Sequence, residues 1–469
     1  MVGVFIGMAC LLSLASAWGS EEPKLGEIYN RTAQYHGPGR NPIILIPGIL
    51  GSTLEQKETH QIIWGGFSRN YANPGTPEGA RAVALPMQHG KPLSRLKDNV
   101  VATGALDRIK LSFLGIPLEL VAYRNILVSL GVLGGYADQT LGTSGAINYG
   151  TDHFTCFQFP YDWRRDNSEN AQLLHEFILD KRKYVQRELA RRYGARDVDV
   201  RFDIVAHSMG GLIARYYLEY GAQSLPEEGS LPPVTWAGAR YVDKVILIAP
   251  PNAGAIKAFF ELVNGVRLAL FLPKYHPALI GTFPSVYEML PRSRQGSVID
   301  EESGKRLDLL DPTVWEKHQW GLADPKEDAQ LQKLLPLVSD SAERRAIALD
   351  HLRKCLRRAK QFEQALDRPA NPPSRTKFYL VAGDAISTPS VVSVGAGGLG
   401  VIKTAPGDET ILRSSALMDE RVGGKWSPEL RSPIQWEQVS FIFKDHLALT
   451  KDVRFTDDLL FILLEKPKH

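Results

Sequence analysis

The sequence predicts an α/β fold, in which helices flank a mostly parallel central sheet, with an inserted helical cap and a lid-like segment. The first observation is a set of short, mostly apolar runs, as expected of strands buried on both faces of a parallel sheet. The second is that helical patterns separate these runs, which is typical of strand–helix–strand units. The third is length, because 469 residues exceed what one ordinary core needs.

Five runs are the clearest strands, and each is followed by Gly or Pro within a few residues. They are Ile43–Ile46, Phe154–Phe159, Phe202–Ala206, Lys244–Ile248 and Lys377–Ala382. Between the second and the third run, apolar residues repeat on one face from Ser168 to Tyr193 and predict a helix.

The predicted sheet domain is interrupted once, so that residues 18–252 form its first part and residues 376–469 its second part. Residues 253–375 hold Pro-rich turns and helical patterns, and predict a helical cap without strands. Residues 55–100 follow the first strand irregularly and form the lid-like segment of this prediction.

Two features of the cap bear on lipid contact. The strongly apolar run Phe259–Leu272 is interpreted as a helix of the cap core; the alternative is a cover over an acyl-binding groove or a contact with a membrane surface. The helix Glu343–Leu366 carries a basic face that is interpreted as solvated, with anionic headgroups as the alternative partner. Its basic residues are Arg344, Arg345, Arg353, Lys354, Arg357 and Arg358, and its predicted buried stripe is Leu349, Leu352, Leu356 and Ala359.

The N-terminus is typical of an exported protein. Residues 1–17 form a short apolar run that ends in a small-x-small site, which predicts a signal peptide cleaved after Ala17. No Lys or Arg precedes the run, so an uncleaved anchor is the alternative, although the run is short for a bilayer span. We therefore expect a periplasmic, secreted or lumenal protein.

Composition excludes several classes of protein and cofactor. The net charge of only +3 and the absence of a basic arm argue against a nucleic-acid partner. Histidines and cysteines show no ligand spacing, so neither a metal nor another cofactor is expected. Cys156 and Cys355 remain after signal cleavage; one disulfide is an option in an oxidising compartment, but Cys156 in an apolar strand favours the role of a small hydrophobe.

The most informative segment surrounds Ser208. An apolar strand runs into this serine, which has the small residues Ala206 and Gly210 two positions away on either side, and an amphipathic helix follows. This is the context of the nucleophile elbow of α/β-hydrolases, where strand and helix pass too closely for larger side chains. An ordinary helix N-cap is the alternative. His207 adjoins the nucleophile in sequence, but the elbow points its side chain elsewhere, so at most a supporting role is expected.

A serine nucleophile needs a base and an orienting carboxylate, which follow it in that fold in the order acid, then histidine. His446 follows the apolar run Val439–Phe443 and is the predicted base; a surface loop histidine is the alternative. Two acids compete, since Asp384 closes the fifth strand and Asp408 lies in a later Gly-Asp turn, and the pattern favours Asp408.

Backbone N–H groups complete the predicted site. One oxyanion donor in this fold is the N–H after the nucleophile, which is that of Met209, and the other comes from the loop after the early strand. That loop, Pro47 to Ser52, is Gly-rich, and the N–H of Ile49 is the candidate. A tight turn that needs Gly is an alternative that does not conflict with this role.

Taken together, these residues resemble the lecithin:cholesterol acyltransferase family, which includes lysosomal phospholipase A2 and phospholipid:diacylglycerol acyltransferases. The resemblance lies in Pro-Ile-Ile-Leu-Ile-Pro-Gly-Ile-Leu-Gly-Ser at 42–52, Pro-Tyr-Asp-Trp-Arg at 160–164, Ala-His-Ser-Met-Gly at 206–210 and Gly-Asp-Glu-Thr-Ile at 407–411, together with His446. It covers roughly residues 40–250 and 375–455, with little in the cap. It implies Asp408 as the acid and His446 as the base.

What the resemblance implies about function is acyl transfer from a phospholipid or other lipid ester, through an acyl-serine, to water or an alcohol. Peripheral contact with a lipid surface fits this activity. The alternatives are a lipase or carboxylesterase without transferase activity and, from another class, a lipid-binding protein that has no catalytic activity.

The sequence departs from the family in the lid, because residues 55–100 contain no Cys, whereas animal members close this segment with a cysteine pair. Trp64 is a candidate lid aromatic that contacts substrate, and a core or turn tryptophan is an equally good interpretation. Asp162 and Arg164, which flank Trp163, are interpreted as a structural ion pair that supports the site.

Overall fold

The computed structural model describes residues 23–66, 71–105, 108–113, 116–121, 123–139, 153–267 and 272–467. The signal-peptide interpretation of residues 1–17 lies outside the described residues and stays a prediction.

Strands and helices alternate along much of the chain. The strands are β1 (Ile43–Ile46), β2 (Ser52–Gln56), β3 (Ile62–Trp64), β4 (Val100–Ala105), β5 (Arg108–Phe113), β6 (Ile116–Val121), β7 (Cys156–Gln158), β8 (Phe202–His207), β9 (Val242–Ile248), β10 (Val298–Asp300), β11 (Lys377–Gly383), β12 (Ile386–Gly395), β13 (Gly398–Gly407) and β14 (Trp436–Ile442). The helices are α1 (Leu25–Ile28), α2 (Asn30–Ala33), α3 (Pro77–Val83), α4 (Arg124–Val128), α5 (Asn167–Tyr193), α6 (Met209–Tyr220), α7 (Ile256–Asn264), α8 (Pro277–Ile280), α9 (Pro284–Tyr287), α10 (Pro312–His318), α11 (Asp328–Leu334), α12 (Ser341–Leu366), α13 (Arg413–Leu417) and α14 (Val453–Leu460).

A six-stranded sheet forms the centre of the molecule, in the order β14-β11-β9-β8-β1-β7, and all of its neighbouring strands are parallel. Alternate residues of β1 enter the cores on opposite faces, Ile44 and Ile46 on one and Ile43 and Leu45 on the other. Helices α5 and α6 cover the first face, and α4 and α14 cover the second. All five predicted strands and the helix after the second are confirmed, as is the α/β-hydrolase fold.

The predicted cap is mainly helical, and its apolar run begins as a core helix. In α7, Phe259 is buried and its ring meets the rings of Trp315 and Trp320. The expectation that residues 253–375 contain no strand is wrong at β10, which pairs in parallel with β12 of the β12–β13 hairpin. Three residues paired to a later hairpin leave no periodic signal in the sequence. The domain boundaries and the lid interpretation of residues 55–100 stay predictions.

The basic helix α12 is confirmed, with Asp340 as its N-cap and Leu352, Leu356 and Ala359 buried. Its basic face, however, is not simply solvated, and this interpretation is corrected. Buried Arg344 pairs with Asp328 at 2.7 Å, and buried Arg358 pairs with Asp166, the N-cap of α5, at 3.1 Å. Arg344 therefore joins two helices of the cap, and Arg358 joins the cap to the sheet domain.

Cys156 in β7 and Cys355 in α12 are both buried free thiols, as the preferred interpretation expected. Burial raises the pKa of each thiol well above its usual value. Within the described ranges, no helix is long and apolar enough to cross a membrane. In the same ranges, no three His, Cys, Asp or Glu side chains come together as a metal site would require.

Candidate active site

Ser208 occupies a sharp turn between β8 and α6. Its backbone has φ 52° and ψ −125°, a strained conformation for a residue with a side chain, and its N–H donates to the Ile248 carbonyl at 2.8 Å. A Cβ on Gly210 would lie 2.4 Å from the Pro47 carbonyl oxygen. This close approach of α6 to the loop after β1 explains why the position two after the serine must be small.

His446 lies in the loop after β14 and faces Ser208 across the carboxyl edge of the sheet. The Ser208 hydroxyl donates to Nε2, with an Oγ–Nε2 distance of 3.1 Å. On the other side of the ring, Nδ1 lies 2.8 Å from Oδ2 of Asp408. The His446 backbone N–H also donates to the Asp408 carbonyl at 3.0 Å, so the loop is attached to the acid twice.

Asp408 follows β13 and is only 1% exposed. Its Oδ1 accepts the backbone N–H groups of Thr410 at 3.0 Å and Ile411 at 2.6 Å, which leaves Oδ2 for the imidazole. Asp384 faces Arg413, with an Oδ2–Nε distance of 3.7 Å, and among the described residues it makes no hydrogen bond to His446. The structure therefore brings Ser208, His446 and Asp408 together and leaves the competing acid outside.

The loop after β1 lies directly over the nucleophile. A Cβ on Gly48 would meet the Cβ of Ser208 at 2.8 Å, and Leu50 takes a positive φ of 63°. Among the described residues, no group accepts the N–H of Ile49. Met209, as the first residue of α6, has an N–H without an intrahelical acceptor. Within this part of the structure, both donors named by the sequence are thus left free beside the serine.

Tyr161 and Trp163 support this loop from below. The Tyr161 hydroxyl donates to the Pro47 carbonyl at 2.8 Å, and the Trp163 indole N–H donates to the Ser52 carbonyl at 3.2 Å. Both side chains are buried. The Tyr-Asp-Trp-Arg segment therefore fixes both ends of the Gly-rich turn.

Asp162 and Arg164 form a two-pronged ion pair, with Nε–Oδ1 at 2.9 Å and Nη2–Oδ2 at 2.6 Å. Arg164 also donates to Asp98 at 2.7 Å and to the Val83 carbonyl at 2.8 Å. Burial lowers the pKa of this guanidinium, but the two carboxylates outweigh burial and raise it. The pair therefore connects residues 55–100 to the sheet domain.

Trp64 lies in the core, at 3% exposure, and its indole N–H donates to the Leu50 carbonyl at 2.7 Å. Its ring packs edge-on against Trp163 and Tyr275. The placement matches the core alternative, and the interpretation of Trp64 as a lid aromatic in contact with substrate finds no support in this burial.

Two buried side chains beside the site were missed or undervalued from sequence. The Gly48 N–H donates to the Tyr123 hydroxyl at 2.7 Å, and that hydroxyl lies 3.1 Å from Nδ1 of His207. Nε2 of His207 lies 3.4 Å from the His446 carbonyl oxygen. Nothing in the sequence marks Tyr123, whereas the position of His207 next to the serine was a signal that could have been followed.

The chain is similar to known proteins both in sequence and in fold. The family model of lecithin:cholesterol acyltransferase matches residues 143–364. A lysosomal phospholipase A and acyltransferase of Bos taurus is 29% identical over 106 residues, which cover 23% of this chain and 21% of the bovine protein. A chain in the crystal structure of the Tle4-Tli4 complex is 16% identical with a TM-score of 0.50, over 91% of this chain and 98% of that one.

These matches confirm the resemblance to the lecithin:cholesterol acyltransferase family, and the solved structure shows likeness of fold alone. The extent of the resemblance is corrected. The family match includes Pro160–Arg164 and Ser208, but it continues through most of the cap and stops before Asp408 and His446. Since the alignment to the bovine protein spans about a fifth of that protein, the bovine activity is only a proposal for this chain.

Proposed function

We propose, from the chain's similarity to the lecithin:cholesterol acyltransferase family, that this protein is a serine-dependent lipid acyl hydrolase and O-acyltransferase. Its substrates would be phospholipids or other lipid esters, and the reaction would pass through an acyl-serine. The bovine relative's description as a phospholipase and acyltransferase supports this class of reaction.

The observation that carries the proposal is the hydrogen-bonded row Ser208–His446–Asp408, with distances of 3.1 and 2.8 Å. These residues come from three separate parts of the chain, and a row of this kind activates a serine hydroxyl. The strained serine backbone and the two free N–H groups of Ile49 and Met209 support the same role.

In the proposed acylation, the Ser208 Oγ attacks the ester carbonyl carbon while Nε2 of His446 takes the hydroxyl proton. The N–H groups of Ile49 and Met209 hold the negative charge that develops on the carbonyl oxygen. As the tetrahedral intermediate collapses, the bond from the carbonyl carbon to the alkoxy oxygen breaks, and the imidazolium gives its proton to the leaving alcohol.

Deacylation repeats these steps with another nucleophile. His446 takes a proton from water or from an acceptor alcohol, whose oxygen attacks the acyl-serine carbonyl carbon. The carbon–Oγ bond then breaks, and the proton returns to Ser208. Water gives a free fatty acid, and an alcohol gives a new ester, so hydrolase and transferase activities differ only in the acceptor.

Contact with a lipid surface is part of the proposal. Phe443 and Leu447 lie on either side of His446 in sequence and are 61% and 50% exposed, so the loop that carries the base presents apolar groups to the outside. Flotation with phosphatidylcholine vesicles tests this: the double variant Phe443→Ser and Leu447→Ser should float less than the wild type. Equal flotation would remove this part of the proposal.

Export is proposed as well, on the apolar run at residues 1–17. The intact mass of protein recovered outside the cytoplasm should correspond to a chain that begins at Trp18. Recovery of the full-length chain only in the cytoplasm would contradict it.

The test of the enzymatic proposal is product analysis. Phospholipid vesicles, triacylglycerol and a long-chain alcohol acceptor are incubated with wild-type protein and with Ser208→Ala, and products are identified by mass spectrometry. Free fatty acid and the fatty acyl ester of the acceptor alcohol should form with the wild type and vanish with Ser208→Ala. Fatty acid without this ester would indicate a hydrolase alone, and vesicle binding with no product would indicate a lipid-binding protein.

A further inference from the structure

A buried chain of hydrogen bonds runs beneath the nucleophile and connects the two loops on either side of it. It begins at the Gly48 N–H, passes through the Tyr123 hydroxyl at 2.7 Å to Nδ1 of His207 at 3.1 Å, and ends at the His446 carbonyl, 3.4 Å from Nε2. Tyr123 and His207 are both buried, and their rings meet edge-on at 5.4 Å.

The donor and the acceptor in each bond of this chain follow from which groups carry a proton. The carbonyl of His446 can only accept, so Nε2 of His207 must carry the proton. A neutral imidazole then offers Nδ1 as an acceptor, and the Tyr123 hydroxyl donates to it while accepting from Gly48. The opposite tautomer would place a nitrogen lone pair against the carbonyl oxygen and leave the phenol proton without a partner.

The surroundings keep both side chains in these protonation states. Burial raises the pKa of Tyr123 well above its usual value, so the phenol keeps its proton to donate. Burial, with the nearby imidazole of His446, lowers the pKa of His207 to about 3. A neutral His207 places no positive charge next to the ring of His446, whose centroid is 4.9 Å away.

We propose that Tyr123 and His207 are positioning residues, which hold the backbones of the Gly48–Ile49 loop and the His446 loop at fixed positions on opposite sides of Ser208. The inference rests on the proposed function, because it concerns the rate of that reaction. The bonds from these two side chains to the loops end on backbone groups, so each residue acts through a loop. Gly48 N–H fixes the peptide next to the Ile49 donor, and the His446 carbonyl fixes the backbone of the base.

Substitutions at Tyr123 and His207 test separately the bond to the Gly48 loop and the bond to the His446 loop. Tyr123→Phe removes only the hydroxyl, and His207→Leu removes both imidazole bonds. His207→Gln places a side-chain amide N–H near the position of Nε2 and so restores the bond to His446. Tyr220→Phe is the matched control, since it removes a buried hydroxyl that donates to the Ala365 carbonyl at 2.9 Å, away from both loops.

Hydrolysis of p-nitrophenyl butyrate by the full chain gives kcat and KM for each variant, and circular dichroism gives Tm. Losing an oxyanion donor costs on the order of 10²–10³ in rate, so a misplaced loop is expected to cost about tenfold in kcat with little change in KM. His207→Leu should lose at least as much and His207→Gln should recover part of it. The double variant Tyr123→Phe/His207→Leu should lose no more than His207→Leu alone, because the bonds act as one chain. Tyr220→Phe should keep the wild-type kcat.

The inference is overturned if Tyr123→Phe turns over the ester at the wild-type kcat, or if the losses of the two single variants multiply in the double variant. It is also overturned if kcat falls only in proportion to the loss of folded protein. Should His207→Leu fail to fold, Tyr123→Phe still decides the question. Failure of the proposed function gives a different pattern, since Ser208→Ala would then hydrolyse the ester as fast as the wild type.

Discussion

Replacing Asp408 by Asn should remove nearly all activity while leaving the fold in place. Oδ1 of Asp408 accepts two backbone N–H groups, at 3.0 and 2.6 Å. The amide oxygen of Asn must therefore take that position, and its NH₂ group must face His446, where Oδ2 now lies 2.8 Å from Nδ1. An NH₂ group donates, so Nδ1 becomes an acceptor and the ring proton moves to Nε2.

With its proton on Nε2, the imidazole cannot accept the hydroxyl proton of Ser208, whose Oγ lies 3.1 Å from Nε2. The same tautomer change in a serine protease lowers kcat about 10⁴-fold, and we expect a loss of about 10³–10⁴ in this protein. The assay is kcat for p-nitrophenyl butyrate, with Tm as the check on folding. The control is Asp384→Asn. Asp384 faces Arg413 at 3.7 Å, and the kcat of this variant should stay within about twofold of the wild-type value. A folded Asp408→Asn variant that keeps more than about a tenth of the wild-type kcat would refute this reasoning.

Three further predictions concern stability. Gly210→Ala should fold poorly and lower Tm strongly, since its Cβ would lie 2.4 Å from the Pro47 carbonyl oxygen; an unchanged Tm would show that the elbow has more room than this distance allows. Arg164→Met should lower the free energy of unfolding in urea by about 3–5 kcal/mol, because it removes both hydrogen bonds of the guanidinium to buried Asp162 and leaves only Arg165, at 3.8 Å, as a cation near that carboxylate; a loss under about 1 kcal/mol would argue against that role. Burial raises the pKa of Glu219 to about 7, although Arg215 opposes this, so between pH 4.5 and 7 the folded state holds a proton that the unfolded state has lost, and stability falls as pH rises. Glu219→Gln lacks this proton, so its Tm should fall less between pH 5 and pH 7 than that of the wild type, and equal falls would count against the prediction.

The sheet was predictable because strands that are buried on both faces consist mainly of apolar residues. β1, β8, β9 and β11 are mostly apolar, and each ends in Gly or is followed by Gly or Pro within a few residues. β10 has three residues and owes its existence to pairing with β12, 94 positions later at Val298 and Val392, which no local pattern reports.

The site was predictable in its parts and not in its assembly. Ser208 is recognisable from its small neighbours, because the steric demand of the elbow is local. Asp384 and Asp408 both follow strands, and although the sequence pattern and the family resemblance favour Asp408, their order in the chain does not place either beside the histidine. The path of the β12–β13 hairpin does so, because it carries Asp408 to within 2.8 Å of His446.

The roles of several supporting residues could not be predicted from the sequence, because their contacts are with residues distant in the chain. Trp64 was left between a core and a lid role, because burial of a tryptophan depends on neighbours such as Trp163, distant in the chain. Tyr123 has no sequence signal at all, since its importance comes from hydrogen bonds to Gly48, 75 positions away, and to His207, 84 positions away. Arg344 and Arg358 look like a solvated stripe in the sequence, and their acidic partners lie on other elements.

The central claim is that the hydroxyl of Ser208 is activated by His446, and covalent labelling tests it most directly. Wild-type protein, Ser208→Ala and His446→Ala are treated with a fluorophosphonate, and the modified peptide is identified by mass spectrometry. We predict a single adduct on Ser208 in the wild type, none in Ser208→Ala, and labelling slowed by about 10³-fold or more in folded His446→Ala. Labelling of a different residue, or equal labelling rates in the wild type and His446→Ala, would contradict the claim.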